Sequence, residues 1–411
     1  MNNQTLRRFT LLVTGLLLLL PALRGGVSEN RADDALRKTT DRLHARSILV
    51  DGHNDITMYM ADAGYDLGEP SAGLFHTDLT RLKKGGVTAQ FFAVWIDPAR
   101  YATQGATARA LKLIDSVYRT VAAHPDDLVL ATTVADIRQA KRQGRVAALM
   151  GIEGGYAIED SLETLRAFHR LGVRYMTLTH TVSTSWAGAT TNGPGTGLTE
   201  FGREVVREMN RLGMLVDISH VSDTTMSDVL DTARVPVIAS HSSARALCDV
   251  PRNIPDALLR RIATNGGVVM VNFYSGFLDP NYAAAYSRVA SEYRAIWKRH
   301  AQDLRTGRAE ELKWAAALPS VPLARLAEHI DHVVRVAGID HVGLGSDFDG
   351  MERAPEGMGD VSCYPNLTVE LRRRGYSEKD VRKILGENFL RVLGDAERFA
   401  RRLNRPRSRL K

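Results

Sequence analysis

Cysteine is nearly absent: 411 residues contain only Cys248 and Cys363. That excludes a disulfide-stapled scaffold and any zinc site built mainly from thiolates, so a bound metal must rest on nitrogen and oxygen. No solenoid-type repeat is present, and beyond residue 20 no apolar run reaches the roughly 20 residues that a membrane span needs. The glycine-rich segment Gly193-Pro194-Gly195-Thr196-Gly197 lacks dinucleotide-fingerprint spacing, and no helix opens directly after it. With 44% hydrophobic and 25% charged residues, disorder, collagen-like repeats and coiled coil are excluded as well. The surplus positive charge is also less than it looks. Of the formal +7, Arg398 to Lys411 supply seven cations and no acid, and Arg7, Arg8 and Arg24 supply three more. Without these ends the net charge is −3, which leaves no electrostatic footprint for nucleic acid. The tail at 398–411 reads as a solvated terminus or a weak contact with an anionic surface.

At the N-terminus, Arg7-Arg8, the apolar stretch Phe9 to Leu20 and then Pro21 to Gly26 follow the order of a secretory signal peptide. The paired arginines also suit twin-arginine export, and an uncleaved N-terminal anchor in contact with a membrane fits the same residues. The expectation is an exported protein, periplasmic or extracellular, with residues 1–26 outside the fold. Export would permit a Cys248–Cys363 bond, which sequence alone does not establish.

From residue 47 onward, short runs rich in Val, Ile and Phe alternate with amphipathic stretches, the pattern of βα units. The expected strands are Ile48–His53, Val87–Trp95, Val146–Ile152, Tyr175–His180, Met214–Ser219, Val237–His241, Val268–Tyr274 and Val342–Asp347. The expected helices are Thr107–Ala123, Val134–Gln143, Ser161–Leu171, Glu200–Leu212, Asp223–Ala233, Asp256–Thr264 and Leu323–Val336. Asp160 and Glu163 have capping-box spacing, and Gly172 and Gly213 stand where C-terminal caps belong. Eight such repeats, with strands apolar on both faces, point to an α/β fold of the (β/α)8 TIM-barrel type spanning residues 27–397. Within it, Tyr282 to Leu318 forms an Ala-, Arg- and Glu-rich helical insertion near 282–318, read as a lid or flank.

Barrels of this kind assemble their sites at the C-terminal strand ends, so the residues that end each run matter most. Here they are Asp51-Gly52-His53-Asn54-Asp55, Gly151-Ile152-Glu153-Gly154-Gly155, Thr179-His180, Ser219-His220, Ser240-His241 and Ser346-Asp347-Phe348-Asp349-Gly350. Alternation along a strand lets His53 and Asp55 face the same way. Any one of these histidines alone would be more ordinary as a hydrogen-bonded structural residue. Even with His180 set aside, three histidines and three acids exceed what one tetrahedral catalytic ion requires, so a two-metal centre is expected. Its ligands would be His53, Asp55, Glu153, His220 and His241. Glu153, flanked by glycine, is the bridging candidate beside a bridging water that attacks a carbonyl. The other eight histidines read as surface or packing residues. Asp347-Phe348-Asp349-Gly350 fails as a calcium loop because its Gly comes too early and no Glu follows at position 12.

These motifs, together with Arg174 to His180, Arg252-Asn253 and Val271-Asn272-Phe273-Tyr274, closely resemble the membrane (renal) dipeptidase family of zinc peptidases, from about residue 46 to 395. The resemblance implies a di-zinc barrel that hydrolyses dipeptides, often with a D-residue at the C-terminal position. It assigns one zinc to His53 and Asp55 and the other to His220 and His241, with Glu153 between them. His180 would steady the carbonyl oxygen, Arg252 would pair with the substrate carboxylate, and Tyr274 would join them in substrate binding. Asp347 would orient the water and pass its proton to the leaving amine. A homodimer is also implied. The basic C-terminus and the 282–318 insertion depart from the mammalian pattern. An amidase or lactonase acting on N-acyl amino acids or related small amides would use the same metals, and a periplasmic metal-carrying binding protein is the non-enzymatic alternative.

Overall fold

The computed structural model describes residues 34–71, 73–192 and 196–404. The N-terminal signal or anchor segment, Gly193 to Gly195 and the end of the basic tail lie outside the described residues. Eight parallel strands close into a barrel: β1 (Leu49–Asn54), β2 (Val87–Trp95), β4 (Val146–Glu153), β5 (Val173–Thr177), β6 (Leu215–Asp217), β7 (Ile238–Ala239), β8 (Val268–Val271) and β9 (Val342–Leu344). A further strand, β3 (Leu128–Leu130), was not expected from the sequence, because three apolar residues carry no usable periodicity. It pairs with Val146 to Ala148 on the edge of β4 that β5 takes over from Met150 onward, so it stands below the closed ring.

The principal helices are α1 (Ala106–Ala123), α2 (Val134–Gln143), α3 (Leu162–Arg170), α4 (Glu200–Leu212), α5 (Asp223–Thr232), α6 (Asp256–Asn265), α7 (Pro280–Arg299), α8 (Leu304–Ala315), α9 (Leu323–Ala337), α10 (Tyr364–Arg373) and α11 (Asn388–Leu403). The insertion is thus the pair α7 and α8, and the last helix runs past residue 397. The capping expectation at Asp160 is corrected. Asp160 itself is left-handed, and Ser161 caps α3 by accepting from the Thr164 amide. A full capping box occurs instead at Thr133 and Asp136 of α2. Gly213 ends α4 in the left-handed region, as expected. Cys248 is buried, Cys363 half-buried, and both are free thiols.

Strand alternation fills the interior. Val50, Phe91, Ala147, Leu149, Tyr175, Leu215, Ile238, Val268 and Met270 pack inward, and Phe389, Leu390, Leu393 and Ala396 of α11 close the N-terminal end beneath them. Inward parity on β4 then continues through Gly151 to Glu153, which carries that carboxylate to the opposite, C-terminal mouth. None of the described helices is long and apolar enough to cross a membrane.

Candidate metal centre and active site

Several strands stop earlier than the sequence suggested. β5 ends at Thr177, β6 at Asp217, β7 at Ala239, β8 at Val271 and β9 at Leu344, so His180, His220, His241, Tyr274 and Asp347 stand in the loops just beyond them. The reason is geometric: a continuing strand turns successive side chains to opposite faces, whereas a cluster needs them to converge. His220 and Asp347 achieve this with left-handed backbone, at φ 65° and 66°.

Two buried aspartates hold these splayed ends together. β1 meets β9 through one residue pair and β6 meets β7 through one. At the first junction Asp51 accepts from the Ser346 amide (2.8 Å) and hydroxyl (2.7 Å) and from Gln90 (2.9 Å). At the second, Asp217 accepts from the Ser240 amide (2.8 Å) and hydroxyl (2.6 Å) and from the Ser219 amide (3.0 Å). Neither carboxylate was assigned a role from the sequence. The usable signal was an acid inside an otherwise apolar buried strand, which must be paired to be tolerated.

The expected ligands come together. His53 Nε2 lies 3.4 Å from Asp55 Oδ2 and 3.3 Å from Glu153 Oε2, while Glu153 Oε1 lies 2.8 Å from His220 Nε2 and 3.3 Å from His241 Nε2. Asp55 stands at the N-cap of the helix Ile56–Asp62 yet caps nothing, which leaves its carboxylate for the cluster. A Cβ on Gly350 would collide with the carboxylates of Asp55 and Asp347, so only glycine leaves this space open.

Hydrogen bonds behind the cluster orient two imidazoles. Tyr175 donates to the Gly52 carbonyl (3.0 Å), so its oxygen accepts from His53 Nδ1 (2.9 Å), which turns His53 Nε2 toward the cluster. Likewise Ser240 donates to Asp217 and accepts from His241 Nδ1 (2.8 Å). An outer partner of this kind is how proteins set the tautomer of a metal-binding histidine. His53 Nε2 is buried with no hydrogen-bond partner, and His220 and His241 bring their Nε2 atoms to 2.9 Å of each other. Imidazole and carboxylate groups crowded in this way fit a divalent cation.

The imidazoles divide electrostatically: burial opposes protonation of His53, yet Tyr175, Glu153 and Asp55 hold it well above the ordinary imidazole range. Burial holds His220 and His241 well below the ordinary imidazole range. Burial opposes the ionisation of Glu153, yet the imidazoles, His53 first, hold it well below the usual carboxylate range. Burial and then the charge of Asp55 push Asp347 up to about 8. Asn272, to which the sequence reading gave no role, donates to Asp347 Oδ2 (2.9 Å).

His180 and Arg252 border this centre. His180 Nε2 is 3.7 Å from Glu153 Oε1, and the His180 amide donates to the hydroxyl of Tyr156 (2.8 Å). His180 stands close enough to form a third potential ligand group with Glu153 and His220, beside the groups His53–Glu153–His241 and His53–Asp55–Asp347. Arg252 donates to the His241 carbonyl (3.1 Å) and the Ser242 hydroxyl (3.2 Å) and lies over Phe277, and burial pushes its pKa down to about 10. Tyr274 packs its ring among Phe277, Tyr282 and Tyr286, toward the insertion. A separate hollow of 630 Å³, lined by Lys83, Lys84, Lys141 and Arg145, lies where β2 and β4 begin, away from all of these residues.

The family description "Membrane dipeptidase (Peptidase family M19)" matches residues 37–407. The chain belongs to the membrane dipeptidase family. Similar crystal structures include the probable dipeptidase PvdM of Pseudomonas aeruginosa, at 26% identity and TM-score 0.76, covering 89% of this chain and 100% of that one. Another is the metallopeptidase dipeptidase AC, at 28% identity and TM-score 0.72, covering 85% and 98%. A third is a metallopeptidase from Rhodobacter sphaeroides liganded with a phosphinate mimic of the dipeptide L-Ala-D-Ala, at 28% identity and TM-score 0.70, covering 85% and 99%. Membership makes this (β/α)8 barrel a metallo-dipeptidase, a hydrolase that uses a metal cofactor.

Proposed function

We propose that the enzyme holds two zinc ions and hydrolyses dipeptides, including those with a D-residue at the C-terminal position. The observation that carries this reading is the convergence of His53, His220 and His241 on the two oxygens of Glu153, with Asp55 beside His53. His53 and Asp55 would hold one ion, His220 and His241 the other, and Glu153 would bridge them. When bound, the pair supplies Lewis acidity that lowers the pKa of water toward 7. Asp347, steadied by Asn272, accepts the proton of the attacking water and delivers it to the leaving amine nitrogen. His180 stabilises the carbonyl oxygen as charge develops on it, and Arg252 pairs with the free carboxylate that distinguishes a dipeptide from an internal peptide bond. The L-Ala-D-Ala mimic bound by the Rhodobacter enzyme supports the D-residue. Residues 1–26 would direct export, supported by the charge and apolar order of that segment.

Chelated enzyme reloaded with zinc should hold about two ions per chain and release amino acids from dipeptides, L-Ala-D-Ala among them, but not from tripeptides. Arg252→Met should raise KM for dipeptides and barely change it for the matching carboxamides. No turnover across a broad dipeptide panel would refute the reading.

A further inference from the structure

The helical insertion grips the loop that carries Asp347. Three consecutive residues downstream of that aspartate are each held by the insertion or its trailing segment. Arg308 of α8 donates to the Met351 carbonyl (2.9 Å), Tyr282 of α7 donates to Glu352 (3.0 Å), and Arg353 donates to the carbonyls of Ala315 (3.0 Å) and Leu318 (2.7 Å). Arg308 is 1% exposed. It also pairs with Glu311 (2.7 Å), donates to the Leu74 carbonyl (3.3 Å) and rests against the ring of His76, 3.1 Å from Nε2. His76 in turn accepts from the Asp349 amide (2.9 Å) and donates its own amide to the Asp349 carboxylate (2.6 Å). One buried guanidinium thus joins the insertion, the segment after β1 and, directly or through His76, the residues that follow Asp347.

Two features make this more than packing. A helix pair that merely flanked the barrel would have no reason to bury a cation, whose desolvation is expensive unless its donors are satisfied. Further, Asp347 and Asp349 are both left-handed, at φ 66° and 67°. Non-glycine residues there are strained and persist only where the surroundings over-determine them. The Arg308 network reaches Asp349 through His76, and Asp347 itself donates its amide to the His53 carbonyl (3.1 Å).

We propose that the insertion is a positioning element for catalysis, with Arg308 its central positioning residue, holding residues 347–353 in the conformation that aims the Asp347 carboxylate at the metal cluster. This rests on the role assigned to Asp347 above. Arg308 touches neither substrate nor reacting atoms, so its loss should lower kcat and spare KM, whereas a lid over the substrate would raise KM.

The test compares wild-type enzyme, Arg308→Met, Arg308→Lys and the milder Tyr282→Phe by steady-state kinetics on a dipeptide, metal content and hydrogen exchange of the 347–353 amides. Arg308→Met should lower kcat by about 10- to 100-fold, the scale on which small misplacements of a catalytic group act. KM and metal content should hold, and exchange across 347–353 should quicken. Arg308→Lys should recover part of the loss, and Tyr282→Phe should shift kcat and exchange in the same direction by less, which serves if Arg308→Met does not fold. Unchanged kcat in folded variants, a kcat loss without faster exchange at 347–353, or a loss expressed in KM would each overturn the proposal. If wild-type enzyme cleaves no dipeptide the functional reading fails, and unchanged exchange in the variants would still refute the clamp independently.

Discussion

Tyr175 decides which nitrogen of His53 faces the metal centre. Its single hydroxyl proton goes to the Gly52 carbonyl, so the imidazole must donate from Nδ1 and leave Nε2 as the nitrogen offered to a metal. Removing that hydroxyl frees the ring to turn and to change tautomer. Tyr175→Phe should therefore weaken metal binding by about 10- to 100-fold, the usual cost of losing an outer partner, as read by competition with a chelator. Retained affinity would mean that packing alone orients His53. The ligands themselves were legible in the sequence, because histidines and acids ending apolar runs are chemically conspicuous. Tyr175 was less so, since a tyrosine inside a buried strand looks like core until its hydroxyl is seen to reach a ligand from another strand.

Among the barrel strands, β4 shows how closely element and site are coupled. Its inward residues run Ala147, Leu149, Gly151, Glu153, and a Cβ on Gly151 would collide with the Tyr175 ring from the neighbouring strand. The glycine makes room for the ring that orients His53, so a packing need and a ligand-orienting need meet at one position. Gly151→Ala should destabilise the protein by about 1–3 kcal/mol through overpacking, measured by urea unfolding, and should also weaken metal binding by displacing Tyr175. A variant with wild-type stability and affinity would show that the ring can relax. Boundaries were less legible than elements. The strands break off before His180, His220, His241 and Asp347 because convergence, supported by Asp51 and Asp217, outweighs continued pairing.

Across the whole molecule, outer helices are tied to the active-site loops by buried polar side chains. His329 of α9 accepts the Ala244 amide at Nδ1 (3.1 Å) and donates from Nε2 to the Leu278 carbonyl (3.0 Å), which requires a neutral ring. Burial pushes its pKa down to about 4. Because the folded value lies below the unfolded value of about 6.5, this contribution is full above pH 6.5 and is lost as pH falls through about 4. Its size is on the order of 3 kcal/mol. His329→Gln should lose less unfolding free energy than wild type between pH 7.5 and pH 4, measured by urea denaturation at each pH. An equal loss in both would remove His329 from the acid response.

Local pattern was enough to reveal eight βα repeats, the chemistry of the strand ends and the family, since hydrophobic alternation and ligand types are properties of short segments. What required the folded chain were relations between distant segments: the tautomers set by Tyr175 and Ser240, the aspartates that replace missing ladder bonds, and the grip of Arg308 on the Asp347 loop. Arg308 and Met351 are far apart along the polypeptide, and an arginine on an amphipathic helix reads as solvent-facing. Only packing shows that it is buried, because burial depends on what the rest of the chain brings to cover it.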